Sequence, residues 1–369
     1  MKKKISIYQF FVLMTLVPYG SASLFFLAPE AKQDAWIALL VYSLAGIALQ
    51  AIYISIYKKY PQDTLVVILQ KLYGKFIGKI LGFLYIIYFT YIASRVFRDY
   101  SEVISAFSLK STPRVVFGSL FILVIIFSVY NGIDNVASLA QLFFLVLILA
   151  KICGFLLIFW RHETFEFYNL KPILNEGIVK VLSESWQLIL FPYGETVVFT
   201  MIYPLIIENS KLKKVAIFSI ITEAIILSFN CILFICTLGV NFATLTNFPL
   251  FEAYRLVKIS EVLSRMDILF LLIFMIEGFF KISIFLYAAV LGAYDMLKFK
   301  NSTLLILIFG VSILVTSLLM SENYPQHVRT GLVDVLYYVH MPMEVIIPII
   351  TLIIVIIKKL ITKKPNIGN

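Results

Sequence analysis

The chain has 369 residues, of which 61% are hydrophobic and 14% charged, with a formal net charge of +10. A soluble domain carries about 25% charged residues, so this composition excludes an ordinary soluble enzyme and points to a polytopic membrane protein. The positive balance does not indicate a nucleic-acid partner, because the basic residues gather in short stretches between apolar runs, where they act as topology signals.

The start, MKKKISIYQFFVLMTLVPYGSAS, has the basic, apolar, small-residue order of a signal peptide. The apolar run continues to Ala28, however, and many more follow, so it reads as an uncleaved first span. Ten spans are expected, at 7–28, 35–57, 78–107, 114–130, 136–160, 184–207, 214–238, 266–297, 302–320 and 341–360, each able to cross about 30 Å of hydrocarbon. The stretch 61–79 alternates apolar and basic residues and reads as an interfacial helix; 249–260 reads as a second. Residues 361–369 are a short basic tail, and the whole chain 1–369 forms one integral membrane domain. With the N-terminus in the cytoplasm, the inner stretches hold Lys2, Lys3, Lys4, Lys58, Lys59, Lys71, Lys211, Lys213, Lys214, Lys358 and Lys359. Most acidic residues outside the apolar runs, among them Glu30, Asp34, Glu166, Glu176 and Glu252, then lie outside. The positive-inside rule is satisfied, and both termini share the cytoplasmic side.

Spans one and six carry the same interruption: Pro18, Tyr19, Gly20 and Pro192, Tyr193, Gly194. Proline removes a backbone donor and clashes with the preceding turn. The freed polar groups cannot face lipid but can line a pocket. Matching breaks in spans of opposite direction predict two inverted repeats, 7–160 and 184–360, with discontinuous helices 1 and 6. This is an all-α, LeuT-like 5+5 architecture. Small residues after the first break, Gly20 and Ser21 among them, allow a ligand to approach the backbone.

The stretches ISIYQ (5–9), DAWIA (34–38), NLKPILNEGIVKVL (169–182) and FPYGE (191–195) resemble the spore germinant-receptor B-subunit family, a branch of the amino acid–polyamine–organocation transporter superfamily. The resemblance covers essentially the whole chain. It implies a transporter-like nutrient sensor of the spore inner membrane that works with A and C receptor subunits. It also implies that span eight faces the breaks in spans one and six, and that Tyr88 and Ile92 of span three wall the pocket. Lysine on span five resembles the proton site of proton-coupled relatives, which singles out Lys151.

Charges inside spans are costly and usually functional. Glu195 closes the second break, where it either accepts freed N–H groups or meets a ligand ammonium. Glu277 and Lys281 stand four apart on span eight and can pair with each other, as a neutral structural pair or as part of a ligand network. Lys151 is a proton site or a lysine snorkelling outwards. Glu223 reads as an interhelical hydrogen-bond partner. Arg95, Arg98, Asp99 and Glu102 read as a solvated outer cluster, and His162, His327 and His340 as residues of outer loops or span ends. The three cysteines, Cys153, Cys231 and Cys236, lie in apolar segments and imply no disulfide framework. No nucleophile–base pairing, metal spacing or cofactor motif is visible, which argues against an enzyme.

The expected ligand is a small nutrient, such as an amino acid, held at the bilayer midplane. Gly20, Ser21 and the first break would take its carboxylate. Tyr88, Ile92, Pro192, Glu195, Glu277, Lys281 and Phe285 would complete the pocket. The rival readings are a proton-coupled amino acid permease acting through Lys151, and a structural receptor subunit with no ligand of its own.

Overall fold

The structure is a computed structural model that describes residues 3–160, 165–256, 266–299 and 301–362. The described chain is helical throughout, with a single parallel bridge between Ile5 and Ile206. Its helices are α1 (Ile7–Ala22), α2 (Ala35–Lys59), α3 (Leu65–Tyr73), α4 (Lys75–Phe107), α5 (Arg114–Tyr130), α6 (Ile133–Trp160) and α7 (Ile178–Glu184). They continue with α8 (Leu212–Leu245), α9 (Pro249–Arg255), α10 (Met266–Leu297), α11 (Ser302–Leu319), α12 (Tyr324–Arg329) and α13 (Ile347–Thr362). Six described helices are long and apolar enough to cross a membrane: α2 with its preceding turn, α4, α6, α8, α10 and α11; α1 and α5 are shorter apolar helices.

Which side of each helix meets lipid follows from its pattern. On α5, Leu120, Leu123, Val124 and Phe127 are exposed, and on α6, Leu142, Leu145, Val146 and Leu149. Apolar stripes at this spacing, unpartnered by protein, face hydrocarbon. α10 is apolar over most of its surface, and the side chains from Phe280 to Leu291 are buried, Lys281 among them. It is therefore the central helix, packed on α1, α4, α5, α6 and α11.

Segment six contains no long helix. After α7 the chain runs through short 3₁₀ turns at Trp186–Ile189, Gly194–Met201 and Tyr203–Leu205, with a cis peptide between Phe191 and Pro192. Its polar groups are satisfied inside the protein. Gln50 donates to Thr196 Oγ1 (2.7 Å) and accepts from the Tyr203 hydroxyl (2.6 Å). Thr196 donates to the Tyr193 carbonyl, and Tyr193 to that of Leu39, both at 2.6 Å. This is how irregular backbone is tolerated at membrane depth. In segment one, α1 runs on through Pro18 and ends at Ala22; residues 23–28 are irregular and a 3₁₀ turn follows at Pro29–Asp34. The interruption thus falls just beyond the P-Y-G motif. A capping box between Ser6 and Gln9 fixes the other end of α1.

The stretch 61–79, expected as one interfacial helix, divides at Gly74 (φ +83°): α3 ends there and α4 begins at Lys75. Of the expected second interfacial helix, Pro249–Arg255 is helical, with Leu250, Phe251, Ala253 and Tyr254 buried against the bundle; 257–260 lie outside the described residues. Helix begins well before the expected last span at 341–360. Helix continues from Tyr324 through wide π-helical turns at 330–346, past Pro342, into α13.

At one end of the molecule the N-terminal segment is tied to the exit of segment six. The Ile5 amide donates to the Leu205 carbonyl (2.9 Å), the Ile207 amide to that of Ile5 (3.0 Å), and the Ile7 amide to Glu208 (2.9 Å). The stretch NLKPILNEG docks on the turn before α2. Both oxygens of the buried Asp34 carboxylate accept from the Leu174 amide (3.0 and 3.1 Å), and Gln33 donates to the Pro172 carbonyl (2.8 Å). Exposed Glu176 pairs with Lys180 and Lys32, whose hydrogen bonds hold its carboxyl down at about 2. A depressed acid contributes above its unfolded value, so this contact persists in mild acid and is lost only as the pH falls towards 2. Asp34→Ala removes the acceptor of the Leu174 amide. It is expected to weaken docking by about 1–3 kcal/mol and to speed deuterium exchange at the Leu174 amide several-fold; an unchanged exchange rate would mean the loop docks without Asp34.

Candidate functional site

The site is built around α10. Glu277, Lys281 and Phe285 follow one another at four-residue spacing on its buried length. The expected pairing of Glu277 with Lys281 is not made. Glu277 pairs with Lys151 of α6, and Lys281 with Glu195 of segment six. The reason is geometric. The two residues on α10 look at different neighbours, and each finds an opposite charge there that ties α10 to another element. Lys281 also donates to the Ser21 hydroxyl at 2.6 Å and lies 5.3 Å from the centre of the Phe191 ring. Lys151 does not snorkel outwards, since its ammonium sits 3.7 Å over the Tyr19 ring and against Glu277. One oxygen of Glu277 has no hydrogen-bond partner. Glu223, expected to bond a neighbouring helix, accepts no hydrogen bond at either oxygen although it is fully buried.

Above the Lys281–Glu195 pair lies a small chamber of about 30 Å³, lined by Ser21, Phe25, Ile92, Arg95, Asp99, Phe191, Glu195 and His340 among others. One water needs about 10–15 Å³, so the chamber is nearly closed in this conformation. A larger vestibule of about 250 Å³ lies beside it, lined by Phe26, Pro29, Trp186 and Tyr337. Phe191, Leu332 and Leu336 border both spaces and stand between them.

The structure brings Ser21, Ile92, Glu195 and Lys281 together at the chamber, with Pro192 beside Phe191 in its wall. Tyr88 sits one layer away. Its hydroxyl donates to Glu344 Oε1 (2.5 Å), and His340 Nδ1 lies 2.8 Å from the same oxygen. Phe285 packs on Phe89 rather than on the chamber, with ring centres 6.1 Å apart. Gly20 faces α10: a Cβ there would meet the Glu277 carbonyl oxygen at 3.1 Å and Lys281 Cβ at 3.4 Å. The Gly20 carbonyl accepts from Tyr100 (2.5 Å). Glycine at this position permits close approach of two helices.

Two further expectations are corrected. The cluster at the end of α4 is not solvated: Arg98 and Asp99 are buried, and Asp99 Oδ1 takes His327 Nε2 (3.0 Å) and the Tyr324 hydroxyl (3.2 Å). His327 and His340 are likewise buried members of these networks, not loop residues; His162 lies outside the described residues. The helices bring them in because the chain from Tyr324 onward is already helical and packs on α4. Glu344 was missed by sequence reasoning. An ionisable residue inside an apolar span was the available signal.

A broken segment six beside an interrupted first helix is an arrangement found in transporter folds. In agreement, the fold matches the crystal structure of MhsT in complex with L-phenylalanine, with a TM-score of 0.64 over 94% of this chain and 87% of that one, at 12% identity. The likeness shows the LeuT-like fold. Among curated proteins, Spore germination protein KB of Bacillus subtilis (strain 168) is 34% identical over 97% of this chain and 96% of its own length. Spore germination protein B2 of the same strain is 22% identical over 84% and 82%. The family model described as "Spore germination protein" matches residues 4–325, and a match of that extent, on a chain whose helices are those of an integral membrane protein, means that the chain belongs to the spore germination protein family.

Proposed function

We propose that this chain is the nutrient-sensing membrane subunit of a spore germinant receptor. It binds a small nutrient of the amino acid class at the chamber between segments one, three, six and α10. It signals to A and C subunits in the spore inner membrane, with both termini on the cytoplasmic side and ten membrane crossings arranged as two inverted five-helix repeats. The observation that carries this reading is the chamber itself: a small space at two backbone interruptions, walled by charges of both signs. The L-phenylalanine complex of a protein with the same fold supports an amino acid ligand. Binding acts as a signal only if the ligand favours one conformation over another. Opening the shared wall of Phe191, Leu332 and Leu336 is the change that a ligand larger than two waters requires.

The test uses spores lacking this gene alone. Dipicolinic acid release is recorded against a panel of single nutrients. Loss of response to some nutrients, restored by the wild-type gene, is the expected outcome; unchanged release with every nutrient would defeat the sensor reading. Liposomes containing only this protein give the competing result. If they accumulate labelled amino acid, and Lys151→Ala abolishes accumulation, the chain is a permease coupled through Lys151.

A further inference from the structure

We propose that Arg95 is the anchor for the ligand's carboxylate. The inference rests on the sensor reading and specifies what its chamber recognises.

Arg95 lies on α4 and lines the chamber with Ile92, Asp99 and Glu195. The other cations buried near it have acidic partners: Lys281 has Glu195, Lys151 has Glu277, and Arg98 lies 3.9 Å from Glu102. Among the described residues, Arg95 has none within ion-pair distance. Its guanidinium donates to the His327 carbonyl (2.9 Å) and, at 3.3 Å, to the Tyr91 hydroxyl. These are two of five N–H donors, and both acceptors are neutral. The neighbouring Asp99 directs Oδ1 to His327 and Tyr324 instead.

A guanidinium beside a small chamber, bonded only to neutral acceptors, is suited to an incoming carboxylate, which it binds bidentately. The fold makes room for it. A Cβ on Gly331, in the π-helical turns opposite, would fall on the Arg95 guanidinium, so the glycine is what lets this backbone close over it. Across the chamber, Glu195 of segment six offers a carboxylate for the ammonium of the same ligand, and Asp99 stands beside Arg95. A zwitterion placed this way brings no net charge into a buried space. An uncharged polyol would leave the guanidinium uncompensated, and an amine without a carboxylate would add to its charge.

The test uses the full-length protein in lipid nanodiscs. L-alanine, L-leucine and L-phenylalanine are each titrated beside their carboxamides and decarboxylated amines, with D-glucose as the neutral probe, and Kd is read from thermal shift. The wild type is expected to bind at least one acid ten- to hundredfold more tightly than its amide, the scale of a charge-assisted hydrogen-bonded pair. In Arg95→Gln that ratio is expected to fall to about one, with Arg95→Lys between. The ratio cancels any general loss of folding, and the wild-type ratio needs no variant. An acid and amide that bind the wild type equally, a ratio unchanged in Arg95→Gln, or binding of glucose alone would each overturn the carboxylate anchor while leaving the sensor reading intact. Binding of none of the probes, with no germination defect on deletion, would overturn both.

Discussion

Lys151→Met is expected to destabilise the protein by roughly 3–5 kcal/mol, the usual cost of removing one member of a buried ion pair. Glu277 is fully buried, and Lys151 is its ionic partner. One of its oxygens already lacks a hydrogen bond, so loss of the lysine strands the whole carboxylate. The ammonium's place over the Tyr19 ring adds to the loss, since such contacts contribute about 0.5–2 kcal/mol. Chemical unfolding of the purified protein in detergent measures the effect. The paired replacement Lys151→Met with Glu277→Gln removes both charges and is expected to recover most of the stability, because no uncompensated charge is then left buried. A double variant as unstable as the single one would mean that Lys151 acts through packing rather than charge.

The exchange of partners around α10 shows what the sequence could and could not reveal. That Glu277 and Lys281 sit inside a span, four apart, is legible from spacing alone. Which neighbour each one meets depends on how α6 and segment six lean against α10, and no local pattern encodes that. The P-Y-G motifs located both interruptions, but the first lies a few residues late: proline inside α1 is absorbed, and the helix ends after Ala22. Segment six is irregular over far more residues than its motif suggests, because Gln50, Tyr193 and Tyr203 supply the polar partners that let it remain so. Arg98, Asp99, His327 and His340 look like loop and interface residues while the last span is placed at 341–360. Once helix begins at Tyr324 they become interior. Glu344 was legible by the same rule that picked out Glu195; the proline and methionines around it mask an interior position. In NLKPILNEG the structure gives Pro172, Leu174 and Glu176 their contacts, with Gln33, Asp34 and Lys32 before α2.

Lys281→Met is expected to abolish the spore's response to its nutrient. The lysine joins three parts of the site at once: Ser21 after the first interruption, Glu195 in the second, and α10 between them. Its removal leaves Glu195 buried at the chamber without its ionic partner, so the single variant should also lose stability, by an amount similar to that for Lys151→Met. Stability and signalling are separated by adding Glu195→Gln. The double variant replaces a buried pair by a neutral one and is expected to regain most of its resistance to unfolding. It should still fail to trigger dipicolinic acid release, because the site has lost both the carboxylate available to a ligand ammonium and the cation that holds it in place. The corresponding double change at Lys151 and Glu277 touches no residue that lines the chamber and is expected to restore stability and response together. If the Lys281–Glu195 double variant germinated like the wild type, that pair would be structural, and recognition would rest on Arg95 and Asp99 at the other end of the chamber.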